Sequence, residues 1–213
     1  MKLLQKFLIT VGVLAIIFVV IFTTINVLNK KEIEKVSETI DTAFTALKNY
    51  DLESLGKIMN TESIESSAKN VLKNTNNSEA TAAEKAIFSS LTYEYTVPED
   101  LTIFDGEIIV NLKLANKNMG EVLLKYLKDA VTFSFTNAFS TNKLEESKLN
   151  QKMEQILVDA INSDDITMTE SDVTLKLIKQ ENEWKIEFVD EEQFINAILP
   201  SFKETLTKYL TQN

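Results

Sequence analysis

The order of hydrophobic periods along this chain predicts an α+β protein: a transmembrane helix, then an antiparallel sheet of about four strands packed on helices, with a helical excursion. Three observations predict it. An uncharged apolar run, FLITVGVLAIIFVVIFTTINVL, extends from Phe7 to Leu28. Beyond it the apolar period changes from helical to alternating and back, twice. Asp105-Gly106 carries the composition of a two-residue hairpin turn between extended segments. Helical blocks separated by strand pairs read as an antiparallel sheet against helices.

The apolar run comes first. At 1.5 Å per residue it reaches roughly 33 Å, enough to cross a hydrocarbon core of about 30 Å. Val11 to Phe22 is apolar on every helical face, unlike a core helix with a side for water. A cleaved signal peptide has a shorter apolar core and an A-x-A-like exit. The exit here reads Phe22-Thr23-Thr24-Ile25-Asn26-Val27, so the run is expected to be an uncleaved signal-anchor. Lys2 and Lys6 precede it without an acid. This short basic start predicts a cytoplasmic N-terminus and an extracytoplasmic domain. Residues 1–29 are thus assigned as cytoplasmic tip and span, and 30–213 as the domain.

Helical spacing continues through Ile33, Val36, Ile40, Ala43, Phe44 and Leu47. No glycine or proline occurs between Gly12 and Gly56. The span therefore either runs on into this helix without a linker or breaks at Asn29-Lys30-Lys31. Asp51 caps a short helix with Leu52, Leu55 and Ile58. Ile64, Ala68, Val71 and Leu72 mark another, and Ser78 caps EATAAEKAIF. Thr92 to Val97 alternates and predicts a strand. Pro98-Glu99-Asp100 interrupts it, Leu101–Phe104 resumes extension, and Asp105-Gly106 turns the chain into Ile108, Val110, Leu112 and Leu114. Two helices follow in the excursion 119–163, separated at Thr141-Asn142-Lys143 and ended at Asp164-Asp165. Val173–Leu177 and Trp184–Phe188 form a second strand pair across Gln180–Glu183. Asp190 with Gln193 makes a capping box for the C-terminal helix, 191–213, which Pro200 kinks or restarts. Its stripe of Phe202, Leu206, Tyr209 and Leu210 either folds back on the domain or docks a partner.

Composition excludes much chemistry. All 22 basic residues are lysine; arginine, histidine and cysteine are absent. Setting aside Lys2 and Lys6 leaves 20 lysines against 32 acids, a net charge of −12 on the domain. Such a domain repels nucleic acid and anionic polymers, so no nucleic-acid partner is expected. There is no thiol nucleophile, thiolate metal site, disulfide or imidazole base. A lipid-modified cysteine is likewise ruled out.

The helix ending in FTALKNYDLESLGKIM, the strand segment FDGEIIVNLKLANKN and the later VTLKLIKQENEWKIEF resemble the NTF2-like (cystatin-like) extracytoplasmic domains of Gram-positive bacterial membrane proteins and lipoproteins. The resemblance covers most of residues 32–199. It implies a curved sheet wrapped around helices, often around a cone-shaped hollow. It supplies no substrate, and the excursion from Met119 to Ser163 is longer than a minimal NTF2-like domain has.

Tyr93, Tyr95, Phe104, Phe133 and Trp184 are the candidate lining of such a hollow, where a small apolar ligand would bind. The plainer reading makes them sheet-face and core aromatics. Tyr93 or Tyr95 with Asp105 has the residue types of a carboxylate-base isomerase, but Asp105 is expected in its turn for backbone reasons. Asp159, Asp164, Asp165, Glu170 and Asp172 match no calcium loop, and the glycine such a loop needs is missing. Asp190-Glu191-Glu192 suits a helix start. No catalytic residue, metal site or cofactor is assigned. The sequence thus predicts a membrane-anchored, non-catalytic binding or assembly module of the bacterial envelope, with the bilayer (through residues 7–28) and an envelope protein as partners. Its alternatives are an apolar-ligand-binding or isomerase-like protein and a subunit of a secretion or conjugation complex.

Overall fold

The computed structural model describes residues 2–59, 81–140 and 144–211, with side chains from residue 16 onward. Helix α1 runs unbroken over Lys2–Lys48, a length of about 70 Å at the α-helical rise. The continuous alternative is the one adopted, and no linker separates the apolar run from the first domain helix. Among the described residues no helix is long and apolar enough to cross a membrane. Of the run Phe7–Leu28, only the side chains of residues 16–28 fall within that description.

Helix α1 ends without a glycine. Tyr50 takes the left-handed conformation (φ 56°), and the amides of Tyr50 and Asp51 donate to the carbonyls of Leu47 and Ala46 at 3.0 and 2.8 Å. This is a Schellman closure on a tyrosine, where glycine is the usual residue. The Tyr50 hydroxyl donates to Glu84 at 3.1 Å and its ring meets Phe88, so side-chain contacts offset the backbone strain. Asp51 then caps α2 (Leu52–Ile58), as expected. The helix predicted around Ile64–Leu72 and the cap at Ser78 lie outside the described residues. Helix α3 (Ala82–Ser89) starts at a reciprocal capping box of Thr81 and Glu84.

Four strands follow chain order in one antiparallel sheet: β1 (Thr92–Tyr95), β2 (Glu107–Lys117), β3 (Met168–Gln180) and β4 (Glu183–Phe188). The Asp105-Gly106 hairpin does not form. Thr92 pairs with Ala115 and Tyr95 with Leu112, at the far end of β2. Leu101–Phe104 is a loop rather than a strand. Asp105 holds that loop closed by accepting from the Thr102 amide and hydroxyl at 2.7 and 2.8 Å. Its aspartate satisfies local backbone, which competes with hairpin formation. The β3–β4 turn is a true two-residue hairpin, with positive φ at Glu181 and Asn182.

Alternation along β2 buries Ile108, Val110, Leu112 and Leu114 and exposes Glu107, Ile109, Asn111 and Lys113. The inner face packs on Val36, Ile40, Phe44 and Leu47 of α1 and on Ala197 and Ile198 of α6 (Glu191–Ile198). The outer face is kept polar by opposite charges across strands, as at Lys113–Asp172 and Lys176–Glu187.

The excursion comprises α4 (Met119–Ala138) and α5 (Glu146–Asn162). Their bases form a second core: Met119 and Val122 meet Ala160 and Ile161, with Ala83 and Ala86 of α3. Helix α7 (Phe202–Thr211) packs along α4. The approach is made at Ser201 and Thr205, while Phe202, Leu206, Tyr209 and Leu210 of the apolar stripe stay exposed. Gly120 makes that approach possible, since a Cβ there would lie 2.9 Å from the Ser201 carbonyl oxygen. Asp190 caps α6 by accepting from the Gln193 amide at 2.9 Å. Pro200 separates α6 from α7 as expected, with Ser201 at φ 62°.

Asn116, fully buried at the end of β2, ties these parts together. Its amide donates to the carbonyls of Ile198 at 2.6 Å and Ile87 at 3.3 Å, and its oxygen accepts from the Ser90 hydroxyl and the Lys117 amide. Sheet, α3 and α6 thus meet on one neutral side chain whose polar atoms are all satisfied.

Candidate functional site

Asn29, Glu32, Val36 and Ile40 recur at helical spacing and turn one stripe of α1 toward the sheet. Where this stripe begins, Glu32 is buried, 6% exposed. Lys179 reaches its carboxylate at 2.8 Å from β3, and Lys35 at 2.8 Å from the next turn of α1. The Trp184 indole donates to it at 3.1 Å, and the Lys179 ammonium stands 5.6 Å from the Trp184 ring centre. Burial alone pushes the Glu32 carboxyl upward; the hydrogen bonds from Lys179, Lys35 and Trp184 overcome that and hold it at about 2. One residue before the lysine pair Lys30-Lys31, the Asn29 side-chain oxygen accepts from the Ile103 amide at 3.0 Å. The root of the domain is therefore clamped to α1 from two sides, by the β3–β4 hairpin and by the loop 101–106.

Beside this cluster lies an open groove of about 370 Å³, bounded by Lys35, Glu38, Thr39, Asn182, Trp184 and Lys185. Its walls carry both charges, with Ile58 and Trp184 adding apolar surface. Glu32 itself faces three donors, so its carboxylate is committed to structure and is not a free base.

A second polar cluster sits further along α1. The hydroxyls of Tyr93 and Tyr95 reach the same oxygen of Asp41 at 3.2 and 2.9 Å. Burial first, and then Asp41, pushes the Tyr95 phenol up to about 12. The Tyr93 phenol is raised as well, by burial and then by the Asp41 charge. Both phenols stay neutral at physiological pH and act as donors to a carboxylate.

The five aromatics singled out in the sequence fall in four places. Tyr93 and Tyr95 stack at 6.2 Å on the inner face of β1, with Phe44 stacked on Tyr93 at 4.7 Å. Trp184 belongs to the Glu32 cluster. Phe133 is half-buried on α4, within the excursion. Phe104 is 79% exposed on the loop clamped to Asn29. No ring contact joins Phe104, Phe133 or Trp184 to the two tyrosines among the described residues. On the inner face, a cavity bordered by Phe44, Leu55, Leu175, Ile186, Phe188 and Phe194 measures about 20 Å³. That is near the space of a single water and far below the several hundred Å³ of a small-molecule site.

Sequence reading missed the Glu32–Lys179 pair, although it carried a signal. Lys179 continues the inward series Val173, Leu175, Leu177 at spacing two. Glu32 stands four residues before Val36 on the buried stripe of α1. Two opposite charges at inward positions of two elements are the pattern of a buried ion pair.

No family model matches this chain, and no curated protein matches it. Among solved structures, a Bacillus subtilis protein described as a lipoprotein (ycdA) is similar at 14% identity and a TM-score of 0.39. The match covers 74% of this chain and 44% of that one, so the chain spans less than half of that protein's length. A likeness of this degree carries no argument about fold family or activity.

Proposed function

We propose that this chain is a single-pass membrane protein of the bacterial cell envelope, with a cytoplasmic N-terminus. Its α+β domain, of NTF2-like type, stands outside as a non-catalytic binding or assembly module. The observation that carries the reading is the surface of α1. Ile16, Ile17, Phe18, Val19, Val20, Ile21 and Phe22 are consecutive and each is 48% exposed or more, so the helix is bare and apolar on every side. In water such a surface is strongly unfavourable, at about 25 cal/mol per Å² of apolar area. The bilayer covers all sides at once, and the sequence continues the apolar character back to Phe7.

What supports the NTF2-like part is the placement of α1 and α6 against the inner face of an antiparallel sheet. What supports a non-catalytic role is the fate of the acidic and phenolic groups. Glu32 and Asp41 accept from fixed donors, and Tyr93 and Tyr95 donate to Asp41. An assembly role is further supported by α4, whose outer end exposes Val131, Phe135 and Phe139 at a spacing of four.

Fractionation of expressing bacteria tests the reading. The full chain is expected to stay with membranes through alkaline carbonate washing. Protease added to intact spheroplasts is expected to remove the domain. Release by carbonate, or a domain protected until the membrane is opened, would overturn it.

A further inference from the structure

We infer that the loop Leu101–Gly106 is a second membrane contact, with Phe104 seated in the interfacial layer of the same bilayer that holds α1. The inference rests on the membrane-spanning reading and adds to it a surface of the domain itself.

Asn29 is the first residue beyond the apolar run. If Phe7–Leu28 fills the hydrocarbon core, Asn29 stands at headgroup level. Its side chain accepts the Ile103 amide at 3.0 Å, which fixes the loop at that same level. Phe104 is the next residue, and consecutive Cα atoms lie about 3.8 Å apart. An interfacial apolar group sits about 5–10 Å into the headgroup and acyl boundary, within a phenyl side chain's reach of that clamp.

The exposure of Phe104 is built into the loop. Asp105 accepts from the Thr102 amide and hydroxyl, the Phe104 amide donates to the Thr102 hydroxyl at 3.3 Å, and the Lys179 amide donates to the Gly106 carbonyl at 2.7 Å. The loop is thus held to α1, to itself and to β3, while its largest apolar side chain faces outward at 79% exposure. Lys30 and Lys31, both exposed at the same level of α1, suit phosphate-bearing headgroups. The occupant assigned to this surface is therefore lipid, continuous with the apolar sleeve of α1.

The chain has no cysteine, so one introduced cysteine takes one label. The full chain, reconstituted in phosphatidylcholine nanodiscs, carries the NBD fluorophore at F104C, at I17C or at K148C on α5. Quenching by lipids with a nitroxide high on the acyl chain is expected to be severalfold stronger at position 104 than at 148. Nitroxides placed near the chain end are expected to quench position 17. Equal, weak quenching at 104 and 148 with strong deep quenching at 17 would overturn the loop contact and leave the span standing. Absence of deep quenching at 17 would overturn the span and the loop contact together. Phe104→Ser in the full chain supplies a second readout. It is expected to leave Trp184 fluorescence unchanged and to speed the chain's transfer out of vesicles into detergent. A shifted Trp184 emission would mark Phe104 as a packing residue of the domain and overturn the assignment.

Discussion

The two ends of the domain are built on opposite terms. At the root, α1 meets the hairpin and loop through charges: Glu32 with Lys179 and Lys35, the Trp184 indole, and Asn29 on the Ile103 amide. At the excursion, α4 and α5 dock by small apolar residues at their bases and by the close approach at Gly120, while Phe135 and Phe139 stand exposed. A charged clamp fixes one direction and position, because its geometry fails if either partner moves. Apolar docking tolerates displacement. The root is thus suited to hold the domain at a set orientation on its stem, and the outer end of α4 to meet something else.

The comparison breaks most directly at Glu32. Glu32→Gln leaves Lys179 in a mostly buried place without its counter-charge. Removal of one member of such a pair costs about 3–5 kcal/mol. Urea unfolding of the full chain in micelles, followed at the single tryptophan, Trp184, is expected to show that loss. A change under 1 kcal/mol, on the scale of an exposed ion pair, would show the root clamp to be ornamental. The same carboxyl sets an acid limit. Its folded value, about 2, lies below the ordinary glutamate value of 4.5. The stabilisation is therefore fully present above pH 4.5 and is lost as pH falls toward 2, on the order of 3 kcal/mol in all. Glu32→Gln is expected to remove that segment of the stability curve; an unchanged acid slope would contradict the pairing.

Asn116 sharpens the contrast with a neutral junction. Asn116→Leu strands the Ile198 carbonyl, while the Ser90 hydroxyl still donates to the Ile87 carbonyl at 2.9 Å; a loss of about 1–3 kcal/mol is expected in the same unfolding experiment. Unlike the Glu32 loss, this one is expected to be independent of pH between 3 and 6, a range on the order of the carboxylate titration. Gly120→Ala forces α7 away from α4. A loss of about 1–2 kcal/mol is expected, with faster amide exchange in α7 and unchanged exchange around Glu32. Exchange that quickens equally at both ends would show that they are not separate. The smallest effect belongs to the outer end of α4: Phe135→Ser with Phe139→Ser is expected to change stability by less than about 0.5 kcal/mol. A large loss would mean that these rings pack in the native state.

Much of the fold was legible because burial imposes period. The alternation of β2 and β3, the helical stripe of α1, the capping aspartates Asp51 and Asp190 and the break at Pro200 each follow from local chemistry. The hairpin at Asp105-Gly106 was misread for a physical reason as well. Turn composition reports that a chain bends, whereas pairing depends on what the bent segment finds; β1 found Leu112–Ala115, and Asp105 found Thr102. Alternation places Tyr93, Tyr95 and Trp184 on the inner face, but a hollow requires that α1 leave space there, and Phe44 and its neighbours fill it.

The sequence by itself determined the apolar run, the acidic lysine-only domain, the α+β order and the absence of thiol and imidazole chemistry, since these depend on composition and on the spacing of neighbours along the chain. Only the tertiary structure decided that α1 is one helix from the run into the core, that Glu32 meets Lys179 across 147 positions of sequence, and that Ile103 lies against Asn29. Those facts depend on which distant segments are brought together, and the energy of each contact exists only once both sides have been placed.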